Sequence, residues 1–263
     1  MSNVNGSNKK PIYKTWIRTR KLITFLIINL LFVVIAFLPV NIYIRIVAGI
    51  LVFPFLYISV VLLYSYYQLS SHGRNLQSRI HELLIQNLKW DGKGKLLDIG
   101  CGGGSLIIKA AKAFEEASLV GIDYWGDNWE YSKQLCEYNA QLEGVDCRIE
   151  FIKASASKLP FGEGEFDAIV SCLTFHEVED EADKIKVIKE ALRVVKQDGV
   201  FVFIDIFLDE KKYGGYNELQ YKLKDLDIAE FSMIRLDEMI KLSAIMKLKK
   251  VLGYATVIIG KKA

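Results

Sequence analysis

The sequence predicts an α/β chain: a doubly wound, mostly parallel sheet of seven strands, preceded by a two-helix membrane hairpin. Three observations carry that reading. From Leu22 to Tyr67 the residues are almost continuously apolar, with Arg45 the only charge. Beyond Lys95, short strand-like runs alternate with segments of helical spacing, the pattern of a sheet covered by helices on both faces. Between the first such strand and the first such helix lies Gly100-Cys101-Gly102-Gly103-Gly104, a turn suited to close approach of a ligand.

The apolar stretch divides at Pro39, Asn41 and Arg45 into Leu22–Ile44 and Ile46–Tyr64, each long enough to cross a ~30 Å hydrocarbon layer as a helix. A helix is the open-chain structure that satisfies its own backbone in lipid. A cleaved signal peptide has a shorter apolar core, and a domain of this size rarely buries so many apolar residues as a core pair. Lys9, Lys10, Lys14, Arg18, Arg20 and Lys21 precede the first span, and Arg74 and Arg79 follow the second. That distribution places both ends on the cytoplasmic side. The domain reading is a basic disordered tail over residues 1–21, the hairpin over 22–67, a linker with an amphipathic helix over 68–94, and a sheet domain over 95–263.

In the 68–94 segment Leu76, Ile80, Leu83, Leu84 and Leu88 recur at helical spacing. The sheet domain then reads as strands at 95–99, 119–123, 149–153, 166–172 and 200–206, with helices at about 105–114, 131–142 and 180–195. Residues 216–228 and 236–242 look helical. Two last strands, 246–251 and 254–260, are expected to form an antiparallel edge hairpin around Leu252-Gly253.

Charge and cysteine content exclude several classes. A net charge of +3 over 263 residues does not suggest nucleic acid as a partner. The four cysteines, Cys101, Cys136, Cys147 and Cys172, form no CxxC pair, so neither a disulfide framework nor a zinc site is expected. A dinucleotide fingerprint also fails. Reading GxGxxG from Gly100 places Ser105 at the third glycine, and reading from Gly102 places Ile107 there.

The run KLLDIGCGGGSL has instead the form DxGxGxG, and over about Trp90 to Ile206 the sequence resembles the class I S-adenosylmethionine-dependent methyltransferases, which have a Rossmann-like fold. The resemblance implies that Asp98, Gly100, Cys101 and Gly102 hold the methionine end of S-adenosylmethionine. It implies that Asp123, closing the strand VGID, accepts both ribose hydroxyls, and that Tyr124 or Trp125 flanks the adenine. Ala156 and Leu159-Pro160-Phe161 match the segment after the third strand, where Ser155 stands in place of the usual acid and is left to meet the adenine amino group. FDAIVSCLTFHEV matches the fourth strand and the loop facing the transferred methyl. Ser171 is thereby assigned to the cofactor, and His176 and Glu177 to substrate or general-base work. Trp125, Trp129 and Tyr131 suit a pocket wall as well as helix–sheet packing; Tyr213, Tyr216 and Tyr221 suit a lid as well as a core.

The implied activity is methyl transfer to a small-molecule or lipid-like acceptor, with no metal and no nucleophilic side chain. Two other classes compete. One is a non-catalytic S-adenosylmethionine-binding membrane scaffold, favoured by Ser155. The other is a nicotinamide-dependent oxidoreductase on a similar sheet.

Overall fold

The computed structural model describes residues 10–127 and 129–263. It divides into two compact units, one of Thr15–Gln77 with Ser243–Met246, the other of Ser78–Leu242 and Lys247–Ala263 with the described part of Met1–Lys14. Residues 1–9, the first part of the expected tail, lie outside the described residues.

In the first unit α1 (Thr19–Phe37) and α2 (Ile42–Leu69) form an antiparallel pair. The turn lies at residues 38–41 rather than reaching Arg45. Asn41 caps α2 by accepting the Tyr43 amide, and Arg45, inside α2, reaches back to the Ala36 carbonyl at 3.0 Å. Phe55 packs against Phe25 and Phe32, with ring centroids 5.9 and 5.1 Å apart, and the Asn29 amide donates to the Val52 carbonyl. Most other apolar side chains of the pair point outward; Phe37 is 81% exposed and Phe53 73%. Both helices have the length and composition to cross a membrane.

The second unit is built on one sheet. Its strands are β1 (Gly94–Ile99), β2 (Ala117–Asp123), β3 (Ile149–Lys153), β4 (Phe166–Cys172), β5 (Val195–Asp205), β6 (Ile228–Arg235) and β7 (Thr256–Lys262). The order is β3-β2-β1-β4-β5-β7-β6; β7 runs antiparallel to both neighbours and the other pairings are parallel. The strand order reverses beside β1, so the carboxyl ends of β1 and β4 flank the crevice where open sheets of this kind receive ligands.

The helices are α3 (Leu76–Asn87), α4 (Ser105–Ala113), α5 (Lys133–Leu142), α6 (Lys184–Arg193), α7 (Glu210–Tyr213), α8 (Tyr216–Lys224) and α9 (Leu236–Met239). Ser132 and Asp183 cap α5 and α6 through side-chain oxygens. On α6, Val187, Ile188, Ala191 and Leu192 form one buried face that joins Phe166, Phe201 and Phe203 of the sheet in a single core.

The last third departs from the sequence-based expectation. Met246–Val251 is not a strand, because residues 244–254 are a succession of turns. The partner of β7 is Ile228–Arg235, whose Ile228, Phe231 and Met233 pack on the core while Ala229 and Glu230 are exposed. Past a register shift between Ile228 and Glu230, exposed Glu230 and Ser232 alternate with Phe231 and Met233, a strand signal; in 246–251 alternation breaks at Lys249-Lys250. The helix expected over 216–228 stops at Lys224, and that over 236–242 is the single turn α9.

The described part of the stretch read as a tail makes long-range hydrogen bonds. Ile12 and Tyr13 are hydrogen bonded to Asn139 and Glu143 of the sheet unit. These are backbone and hydroxyl interactions, which hydropathy does not register.

Candidate active site

The glycine turn is held in a conformation that side chains resist. Gly100 and Gly102 have φ of 79° and 56°. A Cβ on Gly100 would lie 2.0 Å from the Thr174 hydroxyl, so glycine is required there on steric as well as conformational grounds. The amides of Gly100 and Cys101 both donate to the Ile122 carbonyl, at 2.8 and 2.9 Å, fastening the turn to β2. The Gly102 carbonyl accepts from the Trp125 indole at 2.9 Å and from the Cys136 thiol at 3.0 Å.

Asp98 and Asp123 share a face of the sheet. Asp98 pairs with Gly121 in register, and Asp123 lies two residues further along the same strand. Asp123 accepts the Gly102 amide at 2.9 Å and the Trp125 amide at 2.7 Å. A carboxylate has about four acceptor sites, so capacity remains for two hydroxyls. Burial nonetheless raises the Asp123 pKa above the usual carboxylate value. Asp98 is 1% exposed, and among the described residues neither of its oxygens has a hydrogen-bond partner. Burial, reinforced by the negative charge of Asp123, pushes its pKa up to about 8. Two acids so placed favour a cationic guest, which offsets the desolvation of both.

Tyr124 is exposed next to Asp123, with the Lys153 ammonium 5.4 Å from its ring centroid. Trp129 and Tyr131 stack at 5.7 Å, and Tyr131 lies over Gly102 and Gly103. Two non-glycine residues beside the crevice, Trp125 and Leu173, adopt φ of 45° and 56°. Such conformations concentrate at ligand-binding turns.

Beyond β3, Ser155 is not an isolated hydroxyl. Its Oγ lies 3.1 Å from Asp180 Oδ1 and 2.9 Å from Ser157 Oγ, and Ser157 donates to Asp180 Oδ2 at 2.7 Å. Burial alone would raise the Asp180 pKa, but the donors Ser157 and Ser155 hold it below the ordinary value. Ala156 is buried in the core. Ser171 is fully buried and donates to the Ile99 carbonyl at 2.9 Å. Its side chain joins β4 to β1.

His176 and Glu177 sit on a short turn after β4. His176 Nδ1 lies 2.6 Å from Oδ1 of Asp205, a fully buried carboxylate ending β5, and Nε2 lies 3.4 Å from Glu177. Burial acts to lower the imidazole pKa, but the Asp205 charge and hydrogen bond outweigh it and raise the value to about 9. Asp205 was missed from sequence; an acid at the carboxyl end of a predicted strand, in FID, is the signal that marks it. Of the tyrosines considered for a lid, Tyr213 is buried against Phe207, whereas Tyr216 and Tyr221 are exposed.

The fold is the Rossmann-like methyltransferase fold, and residues 97–203, from mid-β1 into β5, match the family model described as a methyltransferase domain. Among relatives in sequence, an uncharacterized methyltransferase of Synechocystis sp. is 30% identical over 130 residues, covering 49% of this chain and 55% of that protein. A sterol 24-C-methyltransferase of Aspergillus fumigatus is 31% identical over 143 residues, covering 54% of this chain and 32% of that one. The chain thus spans about half or less of the length of these relatives. Among solved structures, the geranyl diphosphate C-methyltransferase of Streptomyces coelicolor A3(2), crystallised with geranyl diphosphate and S-adenosyl-L-homocysteine, superposes with a TM-score of 0.56. That match has 15% identity and covers 72% of this chain and 80% of the other. At that identity it speaks for the fold alone.

Proposed function

We propose that this protein is an S-adenosylmethionine-dependent methyltransferase, held at a membrane by α1 and α2 and acting on a lipid-like or other small-molecule acceptor. The observation that carries the reading is the buried, unpartnered carboxylate of Asp98 facing Asp123 beside a glycine turn. A sulfonium cation with a ribose satisfies both acids, whereas a nicotinamide dinucleotide brings a pyrophosphate that they repel. S-adenosylmethionine, when bound, supplies a methyl group already activated on a positive sulfur.

The chain's own task is to bind, align and exclude water. Gly100, Cys101, Gly102 and Asp98 take the methionine end, Asp123 the ribose hydroxyls and Tyr124 one face of the adenine. Holding the acceptor in line with the transferred group is worth ~7–11 kcal/mol of barrier. Where the acceptor carries a proton, His176 in its neutral form accepts it at Nε2, with Asp205 fixing the ring through Nδ1.

Asp180 answers the absence of an acid at position 155. A Ser155 hydroxyl that donates to a carboxylate presents its remaining lone pair as a stronger acceptor for the adenine amino group. Asp180→Asn is expected to weaken S-adenosylmethionine binding by about tenfold, the scale of a charge-assisted hydrogen bond. Calorimetric titration checks this, and an unchanged affinity removes Asp180 from the site.

The acceptor class rests on α1 and α2, whose apolar side chains face outward, and on the sterol-methylating relative. An anchored domain meets bilayer-dissolved acceptors at high effective concentration. The positive residues before α1 and after α2 favour a cytoplasmic side for both ends. Incubating the purified full chain with methyl-labelled cofactor and a membrane lipid extract is expected to label the organic phase. Labelling confined to soluble metabolites would contradict the lipid-like acceptor and leave methyl transfer standing.

A further inference from the structure

A primary amide offers two N–H donors and one carbonyl acceptor. The side chain of Asn139, on α5, is fully buried and uses them all. Oδ1 accepts the Ile12 amide at 2.8 Å, while Nδ2 donates to the Ile12 carbonyl at 2.9 Å and to the Gly103 carbonyl at 3.0 Å. One side chain therefore joins the backbone of the N-terminal segment to the glycine turn. Four residues on, and on the same face of α5, Glu143 accepts the Tyr13 hydroxyl at 3.0 Å and pairs with Lys112 of α4.

The two bonds to Ile12 fix the plane of the Asn139 amide and hence the direction of its remaining proton, towards Gly103. Without residue 12 the amide keeps one bond and is free to turn. A peptide unit is planar, so a carbonyl held in one direction fixes the amide that follows it. The Gly102 carbonyl is already tied to Trp125 and Cys136. Asn139 completes the set of tethers that shape the turn.

We infer that residues 12–13 are a strap that sets the cofactor-binding turn, with Asn139 as the positioning residue between them. Affinity for S-adenosylmethionine then depends on the segment that leads into α1, and whatever draws that segment away weakens binding. The inference rests on the assignment of residues 98–104 to the cofactor.

The test uses the full chain in detergent, titrated calorimetrically with S-adenosylmethionine. Ile12→Pro removes the amide donor from an exposed residue that already follows a proline, and Ile12→Ala keeps both backbone groups. Ile12→Pro is expected to raise Kd and KM for the cofactor about tenfold, roughly the worth of one or two neutral hydrogen bonds, with kcat within about twofold. Ile12→Ala should bind as the wild type does. Asn139→Ala should match Ile12→Pro in binding, and both should speed hydrogen exchange at residues 103–106 while β4 and β5 stay protected. Equal affinity in wild type and Ile12→Pro overturns the strap alone. No binding by the wild type overturns the strap and the site together.

Discussion

Asp123→Ala is expected to raise the dissociation constant for S-adenosylmethionine by at least about a hundredfold. The carboxylate ends β2 with two acceptor sites taken by the Gly102 and Trp125 amides, and the proposed function assigns the rest to the ribose. Each hydrogen bond to a charged group is worth ~1.5–3 kcal/mol, so losing two gives ~3–6 kcal/mol, and tenfold in affinity corresponds to about 1.4 kcal/mol. The substitution also frees two amides that shape the turn, which adds to the loss. Titration calorimetry reads the constant directly, and a thermal melt of the same sample shows whether the variant is folded. A folded Asp123→Ala protein that binds within threefold of the wild type would remove the ribose role from this residue.

The second large effect concerns pH. With the His176 pKa raised to about 9 by Asp205, the neutral imidazole is a minor form at neutral pH. If His176 takes a proton from the acceptor, kcat/KM should climb about tenfold between pH 7 and pH 8 and level off near pH 9, because this parameter reports the free enzyme. His176→Gln should cost about 10²–10⁴ in kcat and abolish the slope. Asp205→Asn should move the inflection to lower pH. Stability should run the opposite way. A histidine whose folded pKa lies above its unfolded value of 6.5 stabilises the protein fully below that value and loses the contribution as pH rises through 9. Asp98, with its pKa at about 8 against 3.8, acts in the same sense, losing its contribution as pH rises to that value. Activity rising while the melting temperature falls over one pH window is the signature. A flat kcat/KM profile would leave His176 without a role in proton transfer.

The legible parts of this fold were those where local pattern and tertiary demand agree. β1, β2, β4 and the second half of β5 are largely buried, run in the same direction and read as apolar runs, so their positions followed from hydropathy, while the edge strand β3 buries only Phe151. The glycine turn was legible because positive φ at Gly100 and Gly102 leaves few other residues possible. β6 was not. Ile228–Arg235 carries Ala229, Glu230 and Ser232 on its outer face and directly follows α8, so helix and strand ran together in sequence. Met246–Val251 imitated a strand but had no place beside β7, which pairs on both sides with β5 and β6.

Within the candidate site, the strand-end positions of Asp98, Asp123 and His176 were legible, since each sits at or just beyond the carboxyl end of a strand. Their partners were not. Asp180 reaches Ser155 across 25 residues of sequence, Asp205 reaches His176 across 29, and Asn139 reaches Ile12 across 127. None of these distances in sequence carries a periodic signal, and each pairing exists only once the sheet has formed. Ser155 is the instructive case. Sequence alone shows a hydroxyl in place of an acid; the structure shows that hydroxyl donating to Asp180.

The measurement that reaches the central claim most directly is a pair of calorimetric titrations of the wild-type full chain, one with S-adenosylmethionine and one with NAD. The account predicts saturable one-to-one binding of the sulfonium compound and no heat from the dinucleotide. Absence of S-adenosylmethionine binding, or binding of NAD in its place, would contradict it.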